Sequence, residues 1–222
     1  MMKIPDKNKK MAPPFIFKWR GLIMAIVTAI ILIVAHPTVG SCCWGIALAI
    51  FGEILRSWAL GWTGEHTRSQ ELKASFLVTS GPYKYIRNPL YLGNILTGCG
   101  VMIASCGALS WWASLVVWLL GSFSLYVVYA SCIISEEAFL AVRFGDIFFN
   151  YKACTPAILP SWHSIPEFVR SFFCPNCGKN GDQGYEGEFF SWKSLRFEYS
   201  TWGWLVFVWL VLFMKAVGKL PL

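Results

Sequence analysis

The sequence predicts an all-α, polytopic helical membrane protein with about five transmembrane helices. Three observations lead there. Of 222 residues, 56% are hydrophobic and only 14% charged, beyond the roughly half-apolar composition of soluble domains. Apolar runs near the roughly 20 residues of helix needed to cross a hydrocarbon core about 30 Å thick recur along the chain. Lysine and arginine cluster in alternate connections between those runs.

The first run extends from Trp19 to Ala35 and stops at His36-Pro37, because the residue before a proline is disfavoured in helix. The second covers about Cys42 to Trp62. The third begins at Asn88-Pro89, where proline suits a first helical turn, and continues to about Ala108. The fourth starts at Trp111 and continues as helix past Ile134 into Glu136-Glu137. The fifth, Trp202 to Met214, is short unless Thr201 and the stem of a snorkelling Lys215 extend it. The first run is read as a span rather than a signal peptide, since it is long and lacks a small-residue cleavage site.

Basic residues set the expected orientation. Lys3, Lys7, Lys9, Lys10, Lys18 and Arg20 precede or open the first span, whereas His36 to Ser41 carries no Lys or Arg. The connection from Thr63 to Arg87 again holds Arg68, Lys73, Lys84 and Arg87. The N-terminus and the polar loops are therefore expected in the cytoplasm, in the inner or plasma membrane if the source is bacterial. The formal charge of +7 sits at span ends among aromatics, a pattern of contact with anionic membrane lipid rather than nucleic acid. Four units follow: 1–62 with a basic N-terminus and two spans, 63–160 as the core, 161–200 as an interfacial segment, and 201–222 as a short last span.

Cysteines in or beside spans behave as small hydrophobes. Cys174-Pro-Asn-Cys177 has the spacing of half a zinc knuckle, but a closed site needs four ligands. A structural turn with free thiols, zinc shared across a dimer and a redox pair all stand open, and no metal is assigned.

Ionisable groups within spans are costly and mark pairing or function. Glu53 and Arg56 share a helix face and can pair, or Arg56 can face a polar cavity near the cytoplasmic end. Beyond that span, Gly64-Glu65-His66-Thr67-Arg68 is dense in polar groups, with His66 either solvated or catalytic beside Glu65 and Arg68. From Leu77 to Asn94, Ser80-Gly81-Pro82 forces a turn, and Tyr83, Arg87, Asn88 and Tyr91 gather near the helix begun by Pro89. That helix start favours a carboxylate. Glu136 and Glu137 at a neighbouring span end suit an ammonium or a ribose hydroxyl. Together they match a zwitterionic amino-acid group.

These residues resemble the membrane-embedded methyltransferases that include isoprenylcysteine carboxyl methyltransferase and the phospholipid N-methyltransferases. The resemblance rests on Leu77-Val-Thr-Ser-Gly-x-Tyr83, Arg87-x-Pro89-x-Tyr91-x-Gly93 and Glu136-Glu137-x-x-Leu140-x-x-x-Phe144-Gly145, over about residues 65 to 160. It implies a cytoplasmic-face site for S-adenosyl-L-methionine formed by Leu77, Val78, Tyr83, Asn88, Pro89, Leu90, Tyr91, Glu136 and Glu137. It also implies methyl transfer to a lipophilic small molecule or lipidated substrate. The family commonly has Arg-His-Pro where this chain has Arg87-Asn88-Pro89. Phe148 stands where a tyrosine is frequent. Cys132 occupies the position of an arginine associated with the substrate carboxylate in the prenylcysteine enzymes, so prenylcysteine is not transferred onto this chain. For a carboxylate or thiolate acceptor, Arg56, Arg68 or Arg87 are the candidate holders; for an amine or hydroxyl, His66 or Glu65 is the candidate base. A membrane reductase using NADPH and a non-enzymatic membrane scaffold are the competing readings.

Overall fold

The computed structural model describes residues 15–63, 76–173 and 198–219. All regular structure among them is helical: α1 Phe15–Val34, α2 Val39–Thr63, α3 Pro89–Ser105, α4 Trp111–Phe144, α5 Asp146–Cys154, α6 Ile165–Phe173 and α7 Tyr199–Ala216. Four helices, α1, α2, α4 and α7, are long and apolar enough to cross a membrane, and α3 is a shorter apolar helix. The expected shortfall therefore falls on α3, not on the last span. A turn at Cys106 to Leu109 ends α3 before Ala108, whereas α7 starts earlier than Trp202 and reaches about 27 Å at 1.5 Å per residue.

Large side chains such as Ile26, Ile33, Trp44, Leu119, Phe123, Val206 and Phe207 face outward, as they do when lipid surrounds the bundle. The core packs Leu32, Met102, Val117, Leu125, Val128, Val208 and Leu212 between the helices. Successive spans run antiparallel, and the turns joining α1 to α2 and α3 to α4 meet at one end. There the His36 N–H donates to the Ser105 carbonyl at 3.0 Å and the Ala108 N–H to the His36 carbonyl at 2.7 Å.

The tightest pairing is α2 against α3. Gly45, Ala49 and Gly52 on one helix meet Gly93, Thr97, Gly100 and Ala104 on the other. A Cβ on Gly52 would strike the Gly93 carbonyl, and one on Gly93 the Gly52 carbonyl. In lipid, where apolar surface alone drives little association, such small-residue seams let backbones approach and gain dispersion contacts.

Lys215 does more than snorkel. Its Nζ donates to the Leu32, Ile33 and Ala35 carbonyls at 3.0, 3.1 and 3.2 Å. It thus closes the C-terminus of α1, where unpaired carbonyls and the helix dipole favour a cation. Lys215→Met is expected to destabilise the bundle by about 1.5–3 kcal/mol, the range for a hydrogen bond to a charged group. A lowered midpoint in thermal unfolding of the detergent-solubilised protein checks this, and an unchanged midpoint contradicts it.

At 34 residues, α4 is about 51 Å long. It outruns the hydrocarbon by about 20 Å and brings Glu136 and Glu137 to the end of the bundle where α3 begins, with Arg143 further along the helix.

Candidate active site

The site lies at the end of the bundle where α1 and α3 begin and α2 ends. Before α3, the segment from Leu77 to Ser80 is extended, and Gly81 turns it into a short 3-10 helix over Gly81–Lys84. Gly81 has a φ of +61°, and a Cβ there would enter the Trp62 indole. Only glycine meets both conditions without strain. The turn buries Leu77 and Tyr83 and leaves Val78 half-buried. Burial pushes the Tyr83 phenol well above its ordinary value, with Glu136 and Tyr151 adding to the shift in the same direction. Tyr83 is thus a neutral hydroxyl at neutral pH.

Asn88 and Pro89 open α3, but this helix start is already engaged. The Arg87 N–H donates to the Pro156 carbonyl at 2.9 Å, and the Asn88 N–H to the Ala157 carbonyl at 3.1 Å. The Asn88 side-chain amide also donates to Ala157, at 3.0 Å. The chain following α5 is therefore laid against the helix start by three bonds. The second N–H of the Asn88 amide makes no bond among the described residues, and Leu90 is half-buried.

Arg87 is a clamp. Its Nε and Nη2 meet one Glu137 oxygen at 3.0 and 2.9 Å, while Nη1 donates to the Lys152 carbonyl at 3.1 Å and to the Thr155 carbonyl. Lys152 Nζ takes the other Glu137 oxygen at 2.6 Å. Tyr151 completes the docking of α5 by donating to the Tyr83 carbonyl at 2.6 Å. Phe148 is fully buried in the same helix.

The two glutamates thus divide. Glu137 faces Arg87 and Lys152, whereas Glu136 accepts a hydrogen bond from the Tyr91 hydroxyl at 2.7 Å. Both separated motifs, one at the start of α3 and one on α4, come together through that bond. Behind it, the Tyr91 and Tyr129 rings lie 5.3 Å apart, within the range of favourable aromatic pairing.

Tyr129 opens onto a cavity of about 390 Å³ bordered by α1, α2, α3, α4 and α7 and open to the outside. Its walls are mostly apolar, and its polar groups include Glu53, Arg56, Asn94 and Thr97. Arg56 does face this space, but Glu53 is not its nearest partner. Arg56 Nη2 meets Glu198 at 2.5 Å, while its closest approach to Glu53 is 3.6 Å. Glu198, Lys152 and Tyr129 were not singled out in the sequence. Tyr129 had a signal, since it stands seven residues before Glu136 on the same helical face. Glu198 had none, being 142 residues from Arg56. Glu65, His66 and Arg68 lie outside the described residues, as do Cys174 and Cys177.

Residues 45–142 match the isoprenylcysteine carboxyl methyltransferase family. Among curated proteins, the chain is 31% identical over 121 residues to a protein-S-isoprenylcysteine O-methyltransferase of Xenopus laevis, covering 52% of this chain and 39% of that one. It is likewise 31% identical over 113 residues to a protein of the same name from Schizosaccharomyces pombe, covering 49% and 45%. A third relative, 38% identical over 88 residues and covering 40% and 37%, is the cobalt-zinc-cadmium resistance protein CzcN of Cupriavidus metallidurans. The chain therefore spans less than half the length of the curated relatives it matches. No solved structure matches significantly. The matched stretch contains the α2–α3 seam, the turn at Gly81, the start of α3 and the glutamate pair, all set among apolar spans. Through residues 45–142, under half of its length, this integral membrane protein is similar to the isoprenylcysteine carboxyl methyltransferase family.

Proposed function

We propose that the chain is a methyltransferase that uses S-adenosyl-L-methionine and delivers the methyl group to a lipophilic or lipidated acceptor at the cytoplasmic face of the membrane. The observation that carries this reading is the Tyr91–Glu136 hydrogen bond, 2.7 Å long, which joins the two motifs of the family-matching stretch at one end of the bundle. Basic residues support the orientation. Lys18, Arg20, Lys84, Arg87, Arg143 and Lys152 gather at that end, and Lys215 and Lys219 stand at the other.

The donor set fits an amino-acid zwitterion. Glu136 takes one bond from Tyr91, and a carboxylate has room for several more. An ammonium or a ribose hydroxyl fills that capacity, while the remaining Asn88 N–H suits a carboxylate. When bound, the cofactor supplies an electrophilic methyl carbon on a sulfonium. Glu136 and Asn88 hold and orient the polar portion, Tyr83 and Tyr91 exclude water, and Arg87 with Glu137 fixes the helix start against α5. Since positive charge on sulfur is dispersed as the new bond forms and the old one breaks, positioning in a dry aromatic setting supplies much of the rate.

Titration calorimetry with S-adenosylhomocysteine tests this assignment. Glu136→Ala and Asn88→Ala are each expected to weaken binding by about tenfold or more, the effect of a lost hydrogen bond to a charged group. Undiminished affinity in both variants removes these residues from the site. Absence of any binding to the wild-type protein removes the transferase reading itself. Radiolabelled methyl transfer into a membrane extract then identifies the acceptor.

A further inference from the structure

The cavity between the spans is one residue contact from the proposed cofactor residues. Tyr129 lines it, the Tyr129 ring packs on Tyr91, and Tyr91 bonds Glu136. At about 390 Å³ it lies within the 300–1,000 Å³ of ordinary ligand pockets. Its walls of Met24, Val101, Leu125 and Leu205 suit a hydrocarbon chain. Its polar wall decides what head that chain carries.

Two charged side chains line the cavity, Glu53 and Arg56. The guanidinium of Arg56 is bound to Glu198 at 2.5 Å. Glu53 holds much less: one hydroxyl bond from Thr97 at 3.3 Å, and Arg56 at 3.6 Å. A carboxylate has about four acceptor positions, so Glu53 presents unused acceptor capacity to the cavity. The other polar neighbours are neutral: Thr28 from α1, Asn94 and Thr97 from α3, Tyr129 from α4, and Ser200 and Thr201 from α7. Arg56 stands between two carboxylates, Glu198 and Glu53, so the three side chains together carry a net negative charge that an anionic head would meet at any unused guanidinium N–H. A protonated amine meets Glu53 directly and leaves the Arg56–Glu198 pair intact.

We infer that this cavity seats the acceptor and selects a lipophilic amine over a carboxylate, with Glu53 as the specificity-determining residue. This deepens the methyltransferase reading and depends on it for the word acceptor, but the binding can be measured without catalysis.

The test uses the full chain in nanodiscs and a dodecylamine probe carrying a photoreactive diazirine on its chain, with labelled residues mapped by mass spectrometry. Labelling is expected on cavity residues such as Met24 and Leu205, with displacement by unlabelled dodecylamine but not by dodecanoate. Glu53→Gln is expected to weaken competition by about tenfold, the effect of losing a charge-assisted hydrogen bond. Gly21→Phe is expected to reduce labelling by obstruction, since Gly21 borders the cavity and a Cβ there meets nothing within 4 Å. Dodecanoate competing as well as dodecylamine overturns the inference, as does labelling indifferent to both variants. Should Glu53→Gln not fold, the wild-type competition and Gly21→Phe still decide. Homocysteine-ligand binding without amine labelling sinks this inference alone; amine labelling without homocysteine-ligand binding sinks the transferase reading and leaves a lipophilic-amine site.

Discussion

Replacing Gly52 or Gly93 by leucine is expected to eliminate folded protein, leaving aggregate in place of a monodisperse peak on detergent size-exclusion chromatography. Each glycine sits against the other's carbonyl, so the added atoms meet backbone on both sides. Ordinary overpacking costs about 1–3 kcal/mol because side chains can shift. Here relief requires the two helices to separate along their length, which forfeits the dispersion contacts that hold α2 to α3 in lipid. Gly203→Leu is the control, because a Cβ at Gly203 meets nothing within 4 Å. Its profile should match the wild type. A folded Gly93→Leu protein with normal stability contradicts the description of the seam.

The second large effect is expected from Arg87→Ala. The guanidinium is about one-tenth exposed and joins Glu137 to the carbonyls of Lys152 and Thr155. Removing it strips one partner from a largely buried pair and leaves the other charge poorly compensated, a loss of about 3–5 kcal/mol in comparable cases. The segment that follows α5 would then keep only the bonds it takes from the Arg87 and Asn88 backbone N–H groups and the Asn88 amide. Arg87→Lys should recover little, since one ammonium cannot reproduce a fork that reaches a carboxylate and two carbonyls. Lys152→Ala touches the same carboxylate from a side chain that is 45% exposed, and exposed pairs contribute about 0–1 kcal/mol. Thermal unfolding should rank Arg87→Ala far below Lys152→Ala. Equal effects would show that Glu137, and not the Arg87 fork, organises the cap.

Much of the fold was legible because length and hydropathy are enough to place a span. The boundaries of α1 and α2 and the start of α4 fall within about four residues of expectation, α4 continues past the glutamate pair to Phe144, and the Pro89 start of α3 falls where proline chemistry puts it. What remained hidden depended on azimuth and on distant partners. Glu136 and Glu137 are adjacent, so about 100° of helical rotation separates them, and only one can face Tyr91. The sequence supplies the pair but not the division of labour. Asn88 was recognisable as a donor near a helix start, yet its bond to Ala157 depends on a chain segment 69 residues away. The Glu53–Arg56 spacing announced a pair, and the loose 3.6 Å approach followed from Glu198, whose place in the bundle no local pattern reveals.

The length of α4 fixes the distance between two features of the bundle. Tyr129 and Glu136 lie on one uninterrupted helix, separated by Ala130, Ser131, Cys132, Ile133, Ile134 and Ser135, with no glycine or proline among them. Ser131 and Ser135 return their hydroxyls to carbonyls of the same helix, at 2.7 and 2.6 Å. Seven residues of helix set an axial rise of about 10 Å, which makes α4 a ruler: the offset between the cavity and the polar cap is a molecular constant, and a molecule that bridges them must match it.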